Sequence, residues 1–263
     1  MDLQLTNKRA LVTGSTAGIG FAIAKTLAAE GADVIINGRS QESVDGAIAK
    51  LTPTSAGKLT GFAGDLSSQE TAERLAQQHP DVDILVNNLG IFESVPFEEI
   101  SDEDWRRFFE VNVLSGVRLS RLYLPAMKAK DWGRVVFISS ESGIQIPAEM
   151  IHYGMTKAAQ IAVARGLAES VAGTGITINS VLPGPTQSRG VGDFIKEAAE
   201  KEGKSSKAIE QEFFETARPT SLIKRFATTE EVASLVAYVA SPLSSATTGA
   251  ALRVDGGVVK SAF

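Results

Sequence analysis

Short apolar, β-branched runs recur through the first two-thirds of the chain: Ala10-Leu11-Val12, Val34-Ile35-Ile36, Ile84-Leu85-Val86, Val135-Val136-Phe137-Ile138 and Ile176-Thr177-Ile178. Each predicts a strand buried on both faces. Between them lie alanine-rich stretches with helical periodicity, over 20–29, 68–78, 102–128 and 153–171. Alternation of strand and helix predicts a doubly wound parallel sheet covered by helices on both faces, with ligands bound beyond the carboxyl ends of the strands. No repeat or proline-rich linker divides the chain, so residues 1–263 read as one α/β domain. The segment 190–218 breaks the pattern, being charged and helix-prone after the turn Pro183-Gly184-Pro185. Its charges, from Lys196 to Glu202, read as a solvated face. Its apolar residues Phe194, Ile195, Phe213 and Phe214 suit a lid over a ligand, spanning 186–220.

Composition narrows the chemistry. A formal net charge of -5 with scattered basic residues gives no footprint for nucleic acid, and no apolar stretch is long enough to span a bilayer. Residues 1–9 lack the basic start and apolar run of a signal peptide, and cysteine is absent, so a soluble cytoplasmic protein without disulfides is expected. With only His79 and His152, no metal site is expected either.

Tyr153 and Lys157 stand four apart in Tyr153-Gly154-Met155-Thr156-Lys157, on one face of a predicted helix. A phenol titrating near 10 becomes an acid–base catalyst near pH 7 only with roughly 4 kcal/mol of differential stabilisation, which an adjacent ammonium can supply in part. A second motif, Thr13-Gly14-Ser15-Thr16-Ala17-Gly18-Ile19-Gly20, follows the first strand run and opens a helix. There, glycine lets backbone N–H groups and the positive helix end approach a dinucleotide pyrophosphate. His152 is about 100° around the helix from Tyr153 and reads as structural or substrate-lining. Trp105, Phe108 and Phe109 read as core or subunit contact.

The ordered set resembles the classical branch of the short-chain dehydrogenase/reductase family over nearly the whole chain. It comprises the glycine turn, Asp65, Asn87-Asn88-Leu89-Gly90, Asn112, Ser140, Tyr153 with Lys157, Pro183-Gly184 and Asp255-Gly256-Gly257. Ser140, thirteen residues before Tyr153, matches the family's catalytic hydroxyl better than Ser139 or Ser142. The resemblance implies a Rossmann-type fold and a homotetramer formed through the long helices and C-terminal region. It also implies a nicotinamide cofactor held by Gly14, Ser15, Thr16, Gly18, Ile19, Gly20, Asp65, Leu66, Asn88, Gly90, Tyr153, Lys157, Pro183, Gly184 and Thr186. Tyr153 is then expected to exchange a proton with the substrate oxygen while Ser140 hydrogen-bonds it. Lys157 is expected to depress the tyrosine pKa and hold ribose, and Asn112 to anchor a water linking Lys157 to solvent.

Cofactor choice is expected at the end of the second strand. Gly38 stands where NAD-preferring relatives carry aspartate, and Arg39 follows, so NADP(H) is favoured over NAD(H). Ala17, where many NADP users have a second basic residue, argues the other way. The substrate is expected to be a small carbonyl or alcohol, a 3-oxoacyl thioester being one candidate. Glu141, Gln145, Ile146, Pro147 and Met150 are expected to wall its pocket. Leu89 replaces a usual alanine and adds bulk beside the cofactor. The alternative is a catalytically silent cofactor-binding regulator of the same fold, which retention of Ser140, Tyr153 and Lys157 disfavours.

Overall fold

The computed structural model describes residues 2–262. In chain order they form β1 (Arg9–Val12), α1 (Gly18–Ala29), β2 (Asp33–Gly38), α2 (Gln41–Leu51), β3 (Leu59–Ala63), α3 (Gln69–Gln78), β4 (Ile84–Asn87), α4 (Asp102–Phe109), α5 (Ser115–Lys130), β5 (Gly133–Ile138), α6 (Ile151–Ser170), β6 (Ile176–Pro183), α7 (Arg189–Glu202), α8 (Ser206–Thr216), α9 (Thr229–Ala240) and β7 (Ala251–Val254). The seven strands lie in the order β3-β2-β1-β4-β5-β6-β7, and every pair is parallel. The order reverses between β1 and its neighbours β2 and β4. The crevice for a ligand therefore opens at the carboxyl end of β1. No helix among the described residues is long and apolar enough to cross a membrane.

Side chains alternate along each strand, and this divides the core in two. Val12, Ile36, Val86, Val136 and Ile138 meet α1, α2 and α9 on one face. Leu11, Ile35, Leu85, Val135, Phe137 and Ile178 meet α3, α5 and α6 on the other. Leu11 and Val12, consecutive and both fully buried, belong to opposite faces. Each fully buried side chain of this size contributes about 1.5–3 kcal/mol, which holds the strand ends in place beneath the loops that carry chemistry.

The predicted helix over 102–128 is not continuous. Residues Glu110–Leu114 form a π-helical turn between α4 and α5. One extra residue in that turn points the fully buried Asn112 inward, where its Oδ1 accepts from Ile91 N at 2.8 Å and its Nδ2 donates to Ile91 O at 3.0 Å and Thr156 Oγ1 at 2.9 Å. The charged excursion near the carboxyl end of β6 forms α7 and α8, with its own small core of Ile195, Ile209, Phe214 and Phe226. Phe213 and Phe226 stack at 5.1 Å, whereas the side chain of Phe194 lies outside the described residues.

Candidate active site

The glycine turn is tied to three strand ends. Thr13 Oγ1 accepts from Asn88 N and Leu89 N, each at 2.9 Å, and Asn88 Nδ2 donates to Thr13 O at 2.9 Å and Gly14 O at 3.2 Å. Asn37, whose role the sequence did not suggest, fixes the other side: its Oδ1 accepts from Gly14 N at 3.0 Å, and its Nδ2 donates to Phe62 O and Gly64 O. Ser15 Oγ accepts from Asn37 N at 2.9 Å, and Ile19 packs on the core. These side chains build the turn, leaving its backbone to meet a ligand.

The turn holds its backbone open to a ligand. Gly14 and Gly18 have φ of +59° and +58°, and a Cβ on Gly20 would lie 2.4 Å from Gly14 O and 2.5 Å from Asn88 Nδ2. Helix α1 starts at this turn, and its N-cap, Ala17, has no side-chain hydrogen bond to offer its first N–H groups. At the end of β2, Gly38 packs against Thr16. A Cβ there would approach Thr16 Cγ2 to 2.5 Å, so an aspartate does not fit without movement. Arg39 is exposed and makes no ion pair among the described residues. Asp65 is exposed and accepts from Ser67 N at 2.9 Å and Ser67 Oγ at 2.7 Å, while Leu66 beside it is fully buried. Thr186 Oγ1 donates to Gly184 O at 2.9 Å, and Gly184 lies so close to Asp255 that a Cβ would come within 2.5 Å of Asp255 O. That contact accounts for the pairing of Pro183-Gly184 with Asp255-Gly256-Gly257.

Ser140, Tyr153 and Lys157 gather at the same edge of the sheet. Lys157 Nζ lies 5.5 Å from the Tyr153 ring centre, and a Cβ on Gly90 would stand 3.5 Å from that Nζ and 3.6 Å from Asn112 Oδ1. Ser140 Oγ accepts from Ser142 N at 3.1 Å and hydrogen-bonds the phenol. Ser139 is committed elsewhere, its Oγ donating to Lys157 O at 2.8 Å.

Lys157 is buried and donates to Ile138 O at 2.9 Å and Gln160 Oε1 at 3.2 Å. Gln160 Nε2 in turn donates to Asn112 O at 2.6 Å. An amide side chain that the sequence did not single out thus joins Lys157 to Asn112. Burial pushes the Lys157 ammonium down to about 7. Burial pushes the Tyr153 phenol up to about 12; the Ser140 hydrogen bond opposes this, Glu141 adds to it and Arg218 opposes it. Burial thus favours the protonated phenol.

Phe92, also unforeseen, sets its ring 6.4 Å from that of Tyr153 in edge contact and is 59% exposed. Ile144 and Ile146 are exposed as well, and Ile146 packs over Gly154, where a Cβ would come within 2.5 Å of it. Glu141 does not offer a free carboxylate as pocket wall, because Arg218 holds it at 3.0 Å. His152 is fully buried against Phe108 and Trp105, with ring centres 4.0 and 6.1 Å away, and neither of its nitrogens has a partner among the described residues. It is structural.

A family model described as short chain dehydrogenase matches residues 8–199. The uncharacterized oxidoreductase YvaG of Bacillus subtilis (strain 168) is 50% identical over 264 residues, covering all of both chains. L-sorbose reductase from Gluconobacter frateurii, solved with NADPH and L-sorbose, superposes with a TM-score of 0.93 at 30% identity, over 99% of this chain and 100% of that one. A 7α-hydroxysteroid dehydrogenase solved with NADH and 7-oxo glycochenodeoxycholic acid gives 0.86 at 28% identity, over 99% and 97%.

Proposed function

The chain belongs to the short-chain dehydrogenase family and is an oxidoreductase of CH–OH and C=O groups, and from that premise we propose that Tyr153 is its acid–base catalyst in interconverting a ketone and a secondary alcohol, with NADP(H) preferred. The observation that carries this reading is the convergence of Ser140, Tyr153 and Lys157 beside the glycine cradle. A bound nicotinamide supplies or takes the hydride at the carbonyl carbon. Tyr153 gives its phenolic proton to the oxygen in reduction and takes it back in oxidation. Ser140 donates a hydrogen bond to the same oxygen, where negative charge develops as the carbonyl is reduced. Lys157, held by Ile138 and Gln160, would bind the nicotinamide ribose and supplies positive charge beside the phenol when protonated. Asn112 fixes the loop at Ile91, so that Gly90 stays open to the cofactor.

Arg39, exposed beside Gly38, is suited to bind a 2'-phosphate and is the ground for preferring NADP(H). Phe92, Ile144 and Ile146 favour a partly apolar substrate, with residues 186–220 as its lid. A groove along α5 and α6, lined by Val117, Leu124, Pro125 and Leu167, suits a subunit contact in a cytoplasmic homotetramer, which a solution mass measurement would check.

A panel of ketones and secondary alcohols with both nicotinamides tests the reaction. Tyr153→Phe is expected to abolish turnover while leaving cofactor affinity nearly intact. Undiminished turnover in that variant refutes the assignment.

A further inference from the structure

The segment 186–220 touches the catalytic wall through a buried charged contact. Arg218, two residues past the end of α8, donates from Nε to Glu141 Oε1 at 3.0 Å, and Glu141 directly follows Ser140. Both side chains are nearly removed from water, 12% exposed for Arg218 and 4% for Glu141. The second carboxylate oxygen accepts from Ser142 Oγ, and Ser142 N donates to Ser140 Oγ. A continuous path therefore runs from Arg218 through Glu141 and Ser142 to the catalytic hydroxyl. Arg218 is also bound to its own segment, its Nη1 donating to Ala217 O at 2.8 Å and its guanidinium lying 5.9 Å from the Phe213 ring centre. Phe213 packs on the small core of α7 and α8, so the cation is fixed to that helical pair.

Holding two segments together does not require charge. Taking an ion pair out of water offsets most of its attraction, and apolar contact generally does the same work with less desolvation. What charge adds here is a field at the reacting phenol. Glu141 and Arg218 act on Tyr153 in opposite senses, the carboxylate favouring the protonated phenol and the guanidinium favouring phenolate. Lys157 on α6 also lies beside the Tyr153 ring. Glu149 stands behind Arg218 at 3.7 Å, and Glu93, next to Phe92, is engaged by Arg107.

We propose that Glu141 and Arg218 are positioning residues that couple docking of the 186–220 segment to the charge balance around Tyr153. With the segment docked, Arg218 neutralises Glu141; with it withdrawn, the carboxylate alone faces the phenol and keeps it protonated. The inference rests on Tyr153 being the acid–base group, as proposed above.

The test is the pH dependence of kcat/KM for NADP+-linked oxidation of 1-phenylethanol, or of whichever secondary alcohol the panel shows to turn over fastest. The rising limb reports deprotonation of the catalytic group in free enzyme. Glu141→Gln should move that limb to lower pH and Arg218→Gln to higher pH, each on the order of half a pH unit or more, with the double variant returning close to wild type. Arg218→Lys, which keeps the charge and guards against a fold defect, should leave the limb near its wild-type position. Displacements of the two single variants in the same direction, or loss of activity with no displacement, overturn the coupling while leaving Tyr153 in its role. Turnover surviving in Tyr153→Phe, or absent from wild type across the whole panel, overturns the parent reading instead.

Discussion

Replacing Lys157 by Met should make the cofactor-free protein respond differently to pH, and the size of the response follows from the site. Lys157 is 5% exposed, forms no ion pair among the described residues and relies on two neutral acceptors, Ile138 O and Gln160 Oε1. Its ammonium is pushed down to about 7, whereas an unfolded lysine titrates near 10.4. Between those values the unfolded chain binds more protons than the folded one, so this group makes stability rise with pH and withholds it as pH falls towards 7. A shift of this size amounts to roughly 4–5 kcal/mol when complete, at 1.36 kcal/mol per unit. From pH 7 to pH 9, allowing for half-protonation at the lower end, about 2 kcal/mol of it should be recovered. Urea unfolding at fixed protein concentration, followed by tryptophan fluorescence, gives the stability of wild type and variant at each pH. The variant also loses two hydrogen bonds, which displaces its curve by a constant amount, so the slope of the difference is the readout. Wild type should gain about 2 kcal/mol on Lys157→Met between pH 7 and 9. A difference flat to within about 0.5 kcal/mol would show that the ammonium titrates normally and would refute the desolvated site.

Removal of the acceptor in Gln160→Leu leaves Lys157 with Ile138 O alone, so its pKa should fall further and the same stability window should extend to lower pH in paired urea titrations. Arg39→Ala should weaken NADP(H) by roughly ten- to a hundredfold, the worth of a charge-assisted hydrogen bond, and NAD(H) far less; equal losses in calorimetric titrations would remove the basis for the NADP preference. Thr228 Oγ1 accepts from Glu231 N at 3.1 Å to cap α9, which packs against α1, and Thr228→Ala should cost about 1 kcal/mol in urea unfolding without changing kcat.

The parts of this molecule legible in the sequence are those whose signal is local. Strands β4, β5 and β6 are buried along their whole length; the apolar runs Ile84-Leu85-Val86 and Val135-Val136-Phe137-Ile138 mark the first two, whereas β6 is interrupted by Thr177, Asn179 and Ser180 and shows itself only through Ile176-Thr177-Ile178. Strands β3 and β7 lie at the two edges of the sheet, are only partly buried, and read as Leu-Thr-Gly-Phe-Ala and Ala-Leu-Arg-Val, which no periodicity separates from loop. Tyr153 and Lys157 are one helical turn apart, and their pairing follows from spacing alone.

The electrostatics that make those two residues useful are not local. Gln160 is only three residues from Lys157, yet its importance depends on the Asn112 carbonyl, which the π-helical turn places within reach 48 residues earlier in the chain. Glu141 and Arg218 are 77 positions apart, and the sequence reads the first as a pocket wall and the second only as the end of the charged segment 190–218. Because burial drives Tyr153 upward and Lys157 downward, the protein alone holds both groups closer to their neutral forms than their free side chains would be. Proton transfer at neutral pH then requires added positive charge or reduced desolvation at the moment of reaction. Arg218 is already docked on Glu141 and so balances that carboxylate rather than adding this charge, which is why the opposite displacements of Glu141→Gln and Arg218→Gln discriminate more sharply than a loss of activity in either.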